Sequence, residues 1–419
     1  MAIAVDTQKE GLIPLWLQVL IGLILGIGAG LFLGPQAILL KPLGTVFINL
    51  IKMVIVPLVF FSLVSAITGL AHTGSLSRIG LKSMALYLFT SVVSVLLGFL
   101  AADIFEPGVG QSLHLTDPAA FTPTTPPTIM EMLIGIVPDN AIGAMAQGHI
   151  LQLVVFSLFT GFTLNAITEK VPHTLSLVQE LAQLFFKMIE TIVRLAPIGV
   201  FGFVAWIVGT QGPEVLKALS KFMFLVIGAC TVQFFLLGVM IWVLTRLSPV
   251  PFYRKMFEPQ ILAFSTTSSK AVLTTVMRVL NKDIGVSKGS TNFVLPLGAA
   301  MNMDGTAIYL SICGIFFAQM YGVQLDMHHY ITLAFACTIA SIGAAGIPSG
   351  SIVFMGMVLN SIGLPLEGIG LIIGVDRILD MFRTTINITG DAAITLIVDK
   401  SEGTLDTDRY YDRKRKSVA

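Results

Sequence analysis

Three apolar runs open the chain, at about residues 13–33, 43–70 and 83–104, each long enough to cross a ~30 Å hydrocarbon layer at 1.5 Å per helical residue. Hydrocarbon offers nothing to a backbone N–H or C=O, so a run of this length crosses it only as a helix that satisfies those groups internally. Composition agrees. The apolar fraction is 55% and the charged fraction 12%, against about 25% in a soluble domain, so the chain carries too little charge to cover itself for water. The net charge is +1, and no basic patch with interleaved aromatics occurs, so no nucleic-acid partner is expected. Cys230, Cys313 and Cys337 lie in apolar runs without paired spacing, which argues against a disulfide framework or a zinc site. The opening MAIAVDTQKEG has neither a basic region nor a cleavage site, so the first run is expected to be a retained helix.

Further apolar helices are expected at about 150–167, 176–209 and 218–245. Residues 105–148, rich in Pro, Thr and Gly, read as an irregular extramembrane segment with one short helix. No Lys or Arg occurs between Lys82 and Lys170, whereas the tail RYYDRKRKSVA is strongly basic. The positive-inside bias then puts both termini in the cytoplasm of a multi-pass plasma (inner) membrane protein, with 105–148 outside.

After six spans the pattern changes. Basic residues flank 257–280 on both sides: Arg254 and Lys255 before it, Arg278, Lys282 and Lys288 after. A hairpin that enters and leaves on one face satisfies both clusters, with Ser265–Ser269 as its polar tip. The run 328–365 mirrors it, lacking basic flanks and broken at Gly343–Gly350 (GAAGIPSG). Each hairpin precedes a helix, at about 291–321 and 367–398. The expected fold is all-α: eight transmembrane helices plus two oppositely oriented re-entrant hairpins, an inverted repeat of topology that points to a midplane site.

Two constellations carry chemistry. Asp376, Asp380, Arg383, Asn387 and Asp391 lie in one apolar run at offsets 0, 4, 7, 11 and 15. At 100° per residue they share an arc of about 80°. Ionisable groups inside a membrane helix are costly and mark functional paths. Local pairing such as Asp380–Arg383 leaves Asn387 and Asp391 unexplained, and Asp376 gains no role beyond orienting a partner. Arg377 points about 100° away, as a structural or snorkelling residue does. The second constellation is Asn302-Met303-Asp304-Gly305-Thr306, whose oxygens suit a hard cation, with Gly305 expected to open the backbone. The hairpin tips supply hydroxyl and N–H donors. Tyr87, Thr90 and Ser91 share one face of the third helix.

On NMDGT, the serine-rich tip before it and the DxxxDxxRTxxNxxGD pattern of 376–391, the chain resembles the dicarboxylate/amino acid:cation symporter family, which includes glutamate and aspartate transporters. The likeness runs from IKMVIVPLVF (51–60) through APIGVF (196–201) and FVLPLGAAMNMDGT (293–306). It implies a sodium-coupled symporter of acidic amino acids, not an enzyme. It also implies a glutamate-transporter-like homotrimer working as an elevator. Residues 1–250 would then be mainly scaffold, with the third and sixth helices moving with the transport part. Residues 251–400 would be the transport core, made of hairpin 251–282, helix 291–321, hairpin 328–365 and helix 367–398. Residues 401–419 would be a cytoplasmic tail. The second hairpin, around Gly343–Ser351, would be the gate.

By the same resemblance, Arg383 matches the residue that holds the substrate side-chain carboxylate, Asp380 the amino group, and Asn387 the α-carboxylate. Ser268, Ser269, Thr306, Thr384, Gly346 and Ile347 match further substrate contacts. Sodium ligands would be Gly298, Asn302, Asn387 and Asp391 at one site, and Tyr87, Thr90, Ser91, Asn302 and Asp304 at a second. A third would comprise Ala300, Met303, Ser341, Ile342 and Ala344. The chemistry agrees, because a planar guanidinium fork suits a carboxylate and a nearby Asp suits an ammonium.

The chain departs from the family in places. Lys270 stands third in the usual Ser-Ser-Ser tip, where it either replaces a missing charge or faces the cytoplasmic cavity. Thr267 and Met381 occupy the two places where relatives keep a second arginine. Leu310 stands where potassium-countertransporting relatives carry Glu, so that exchange is not expected. The alternatives are proton coupling, a C4-dicarboxylate or neutral amino acid cargo, and a pore. An intramembrane enzyme is disfavoured because His72, His114, His149, His173, His328 and His329 lie mostly in expected loops and form no catalytic pairing.

Overall fold

The computed structural model describes residues 14–68, 76–110, 134–343, 350–365 and 369–412. These form α1 (Leu15–Leu33), α2 (Lys41–Thr68), α3 (Leu76–Phe105), α4 (Ala141–Gln147), α5 (Ile150–Ala166), α6 (Pro172–Val193), α7 (Ala196–Gln211) and α8 (Val215–Thr245). The second half contributes α9 (Val250–Thr266), α10 (Ser269–Val279), α11 (Lys288–Met301), α12 (Asp304–Met320), α13 (Met327–Gly343), α14 (Gly350–Ser361), α15 (Ile369–Ser401) and α16 (Thr407–Tyr410). Among the described residues there is no strand.

By length and composition, four helical segments can cross a membrane: Leu17–Ser65, Arg78–Phe105, Val215–Thr245 and Lys288–Met320. The bent pair α6–α7 makes a fifth. The apolar pattern predicts one helix over 176–209, but the chain bends by 51° between α6 and α7. The cause is Pro197, which sits in the first turn of α7 and, having no N–H, cannot continue the preceding ladder. The short helix expected within 105–148 is α4, N-capped by Asn140, whose Oδ1 accepts from Gly143 N at 2.9 Å.

Many large apolar side chains face outward. Phe32 is 89% exposed and Phe159 73%, while charged side chains of the last helix are buried. That inversion suits a lipid surround. Without a hydrophobic drive between helices in lipid, close backbone approach does the packing. On α1, Gly22, Gly26 and Gly30 lie one turn apart. A Cβ at each would run into a carbonyl oxygen of α7: that of Pro197, of Phe201 at 2.9 Å and of Ala205 at 2.7 Å.

The second half assembles around α15. It packs on α8, α9, α11 and α12, and more lightly on α14. Helices α9 and α10 pack on each other as a hairpin. Thr267 closes α9 in the left-handed conformation (φ 53°), and Ser268 Oγ caps α10 through Ala271 N at 3.3 Å. Helices α13 and α14 pack on each other likewise. The glycine-rich stretch between them, 344–349, lies outside the described residues.

Candidate functional site

Helix α15 buries the whole expected stripe. Asp376 is 1% exposed, Asp380 8%, Arg383 0%, Asn387 4% and Asp391 1%. Such burial is tolerable only where each charge meets a partner, and the partners sort the stripe into two ends.

At the first end Arg383 lies between two carboxylates. One terminal nitrogen donates to Asp376 Oδ1 at 2.9 Å and the other to Asp380 Oδ1 at 3.0 Å. The Tyr309 ring of α12 covers the guanidinium at 4.0 Å from its centroid. Ser351 of α14 donates to Asp376 Oδ1 at 3.3 Å, which ties the outgoing arm of the second hairpin to the charge cluster. Arg383 Nε and the outer oxygens of Asp376 and Asp380 are buried without a hydrogen-bond partner among the described residues. Asp376 thus gains a definite place, holding one side of the fork.

The second end gathers around the interruption between α11 and α12. The backbone leaves the helix at Asn302 (φ −116°, ψ 88°) and Met303 (φ −113°, ψ 62°). Gly305 is not the opening that the sequence suggested, because it lies in the first turn of α12. A Cβ there would meet the Arg383 Cα at 2.7 Å, so this glycine allows α12 to press on α15. Asn387 secures the junction. Its Oδ1 accepts from Gly305 N at 2.8 Å and its Nδ2 donates to Met303 Sδ at 3.2 Å.

Asn302 Nδ2 donates to Asp391 Oδ1 at 3.1 Å, and its Oδ1 accepts from Thr90 at 3.1 Å. A Cβ at Gly298 would meet Asp391 Oδ1 at 2.6 Å and the Tyr87 hydroxyl at 2.7 Å, and one at Gly390 would meet Asp304 Oδ2 at 3.1 Å. The Tyr87 hydroxyl donates to Val294 O at 2.7 Å. Asp304, 0% exposed, accepts a long bond of 3.5 Å from Gln233, and its Oδ1 has no hydrogen-bond partner among the described residues. Neither Asp304 nor Asp391 forms an ion pair among the described residues. Two buried carboxylates therefore share a pocket of oxygen donors (Asn302, Thr90, Tyr87 and backbone carbonyls) in which no described basic side chain pairs with them. This donor set suits a hard monovalent cation or a proton. Ser91 meets Ser341 of α13 at 2.8 Å between their hydroxyls.

Some expected residues are not drawn into either cluster by a hydrogen bond or ion pair. Ser269, Thr306 and Thr384 are buried but make no such contact with the Arg383 group, Ser268 serves as a cap, and Ala300 and Ile342 are half-buried residues of α11 and α13. Gly346 and Ile347, expected at the gate, and Ala344, expected at the third cation site, lie outside the described residues. The Lys270 ammonium rests over the Phe186 ring of α6 at 3.6 Å and does not join the fork. Sequence reasoning missed Gln233 of α8 and Ser94 of α3. Both are buried, and Gln233 Oε1 and Ser94 Oγ lack hydrogen-bond partners among the described residues. A lone amide in the apolar run 215–245 was the available signal for the first.

Comparison with known proteins accords with this arrangement. A family model described as the sodium:dicarboxylate symporter family matches residues 15–401. The chain is 34% identical to a proton/sodium-glutamate symport protein of Bacillus caldotenax over 95% of this chain and 96% of that one. It is 34% identical to the proton/glutamate-aspartate symporter of Escherichia coli strain K12 over 95% and 94%. It is 31% identical to a C4-dicarboxylate transport protein of Pseudomonas savastanoi over 97% and 90%. With a membrane-type helical fold, a buried charge fork on α15 and a two-carboxylate pocket between α12 and α15, the chain belongs to the sodium:dicarboxylate symporter family, and its work is secondary active transport rather than catalysis.

Proposed function

We propose that the chain symports an acidic amino acid, aspartate or glutamate, with sodium. The observation that carries this is that α15 joins a two-carboxylate fork at Arg383 to a pocket in which its Asp391 is accompanied by Asp304 of α12. The substrate inserts into the Asp380–Arg383 pair. Its side-chain carboxylate takes the guanidinium nitrogen that Asp380 releases, and its ammonium takes Asp380. One ion pair is exchanged for two, and no charge is left buried alone. A C4-dicarboxylate has no ammonium, so Asp380 would be stranded; a neutral amino acid leaves the fork unmatched. Sodium neutralises the buried carboxylates at two sites, with Gly298, Asn302, Asn387 and Asp391 as ligands at one and Tyr87, Thr90, Ser91, Asn302 and Asp304 at the second. Ala300, Met303, Ser341, Ile342 and Ala344 are proposed for a third ion.

The architecture of the reading is a homotrimer in the inner membrane with both termini cytoplasmic. Eight spans and two inverted re-entrant hairpins form a scaffold (1–250), an elevator core (251–400) and a tail (401–419). Substrate contacts extend to Ser268, Ser269, Thr306, Thr384, Gly346 and Ile347. The Ser351–Asp376 bond supports the second hairpin as gate, because it lets the state of the fork reach α14. Proton coupling is the second reading. It is favoured by the relatives named for proton symport and by the lack of an ion pair to Asp304 or Asp391 among the described residues. Uptake of labelled aspartate into proteoliposomes decides. The sodium reading expects accumulation under an inward sodium gradient and none with sodium absent from both sides. Undiminished pH-driven uptake without sodium would overturn it.

A further inference from the structure

A groove of about 960 Å³ runs between α3 and α8, away from both clusters. Its α3 wall is one helix face, Leu97, Leu100, Ala101, Ile104 and Phe105, followed by Pro107. The α8 wall has two kinds of chemistry. From Phe224 to Val232 it is wholly apolar, with Gly228 as its floor, whereas Lys217, Ser220 and Lys221 all stand at the end where α8 begins. Leu100 (59%), Phe105 (66%) and Phe224 (67%) are exposed along it.

From these features we infer that the groove is a binding site for one anionic phospholipid, distinct from the general lipid belt. Three observations carry the assignment. From Lys221 to Val232 the helix advances by eleven residue steps, about 16 Å, which is half the ~30 Å hydrocarbon core. The slot therefore has the depth of one leaflet and fits an acyl chain lying along it. Its charge is confined to the end where a headgroup would lie. Lys217 is already paired with Glu214 at 2.8 Å, but Lys221 makes no ion pair among the described residues, and the start of α8 adds the positive end of a helix. Finally, the floor is open by construction. A Cβ at Gly228 would meet no atom within 4 Å, although Gly98 and Gly238 on the same two helices are crowded, a Cβ at Gly98 colliding with Ser311 Oγ. The missing side chain at Gly228 makes room for something other than protein.

The full chain, purified in a nonionic detergent, is melted with added phosphatidylglycerol, with phosphatidylcholine of the same acyl chains, and with inorganic phosphate alone. The inference expects phosphatidylglycerol to raise the melting temperature most, phosphatidylcholine less, and phosphate not at all, because the acyl chain is needed. Lys221→Gln should weaken phosphatidylglycerol about fivefold and leave phosphatidylcholine unchanged. Gly228→Phe should abolish the response to both lipids while leaving aspartate uptake intact. Equal responses to the two lipids, or a phosphatidylglycerol preference that survives Lys221→Gln, would overturn the assignment. So would a phosphate response equal to that of the lipid. If Gly228→Phe changes the mass of the complex and leaves the lipid response intact, a second copy of the chain fills the groove and the lipid assignment falls. Lys221 is exposed, so its variant folds and keeps the test decisive even if the phenylalanine does not fit.

Discussion

Arg383→Met is the most informative single change. The side chain is fully buried, with one nitrogen on Asp376 at 2.9 Å and another on Asp380 at 3.0 Å. Removing one partner of a buried ion pair leaves an uncompensated charge and costs about 3–5 kcal/mol, and here two carboxylates are stranded by one substitution. The substrate also loses its charge-assisted hydrogen bonds, worth about 1.5–3 kcal/mol, or roughly 10- to 160-fold in affinity. The two losses can be separated. Adding Asp376→Asn and Asp380→Asn to Arg383→Met makes the cluster neutral and should recover most of the stability while recovering no aspartate binding. The assay is thermal unfolding in detergent, with and without aspartate at saturating sodium. The expected order of melting temperature is wild type, then the triple variant, then the single variant, with aspartate raising only the first. A single variant that melts like wild type, or that aspartate still stabilises, would refute the ion-pair exchange.

Other changes test the rest of the site. Gly298→Ala places a methyl 2.6 Å from Asp391 Oδ1 and 2.7 Å from the Tyr87 hydroxyl; pushing Asp391 off Asn302 should weaken the apparent sodium affinity of uptake on the order of tenfold, by loss of about one charge-assisted bond. Gly305→Ala should separate α12 from α15, because its methyl would meet backbone atoms of Arg383 at 2.7 Å that cannot yield as a side chain does; lower stability and lower aspartate affinity are expected together. Outside the membrane, hydrogen bonds from Lys82 and Arg78 hold the Glu402 carboxyl below its usual range. The folded value lies below the unfolded one, so this contribution is present above the unfolded value, about pH 4.3, and is lost as pH falls through the folded value. Glu402→Gln should therefore melt below wild type at pH 7, the two curves converging under acid conditions; parallel curves down to about pH 3 would contradict this.

The stripe on the last helix was legible because five polar or charged residues in an apolar run are too costly in lipid to be incidental, and their offsets fix a common face. The pairing within the stripe was less so. Asp376 and Arg383 are seven residues apart, which is also one face, yet spacing alone could not choose between Asp376 and Asp380, and the structure uses both. At NMDGT the residues pointed to an interrupted helix but misplaced the interruption. Glycine permits an opening without requiring one, and Gly305 serves the contact with Arg383, while Asn302 and Met303 leave the helical region. The bend between α6 and α7 was signalled by Pro197 and submerged in a continuous apolar run. Gln233 and Ser94 were harder to read for a different reason. A lone amide in an apolar helix acquires meaning only from the neighbour that tertiary packing brings, here Asp304, whereas Ser94 continues the helix face of Thr90 and Ser91.

The central claim is that the carboxylates of Asp304 and Asp391 hold the cation that makes the Arg383 fork ready for substrate. Its most direct test is the aspartate dissociation constant of the purified chain, measured by calorimetry across sodium concentrations at fixed pH and then across pH at fixed sodium. The account predicts that aspartate binds tighter as sodium rises, and that Asp391→Asn flattens this dependence while the fork stays intact. A dissociation constant indifferent to sodium, weakening steadily as pH rises in its place, would contradict it and assign the pocket to a proton.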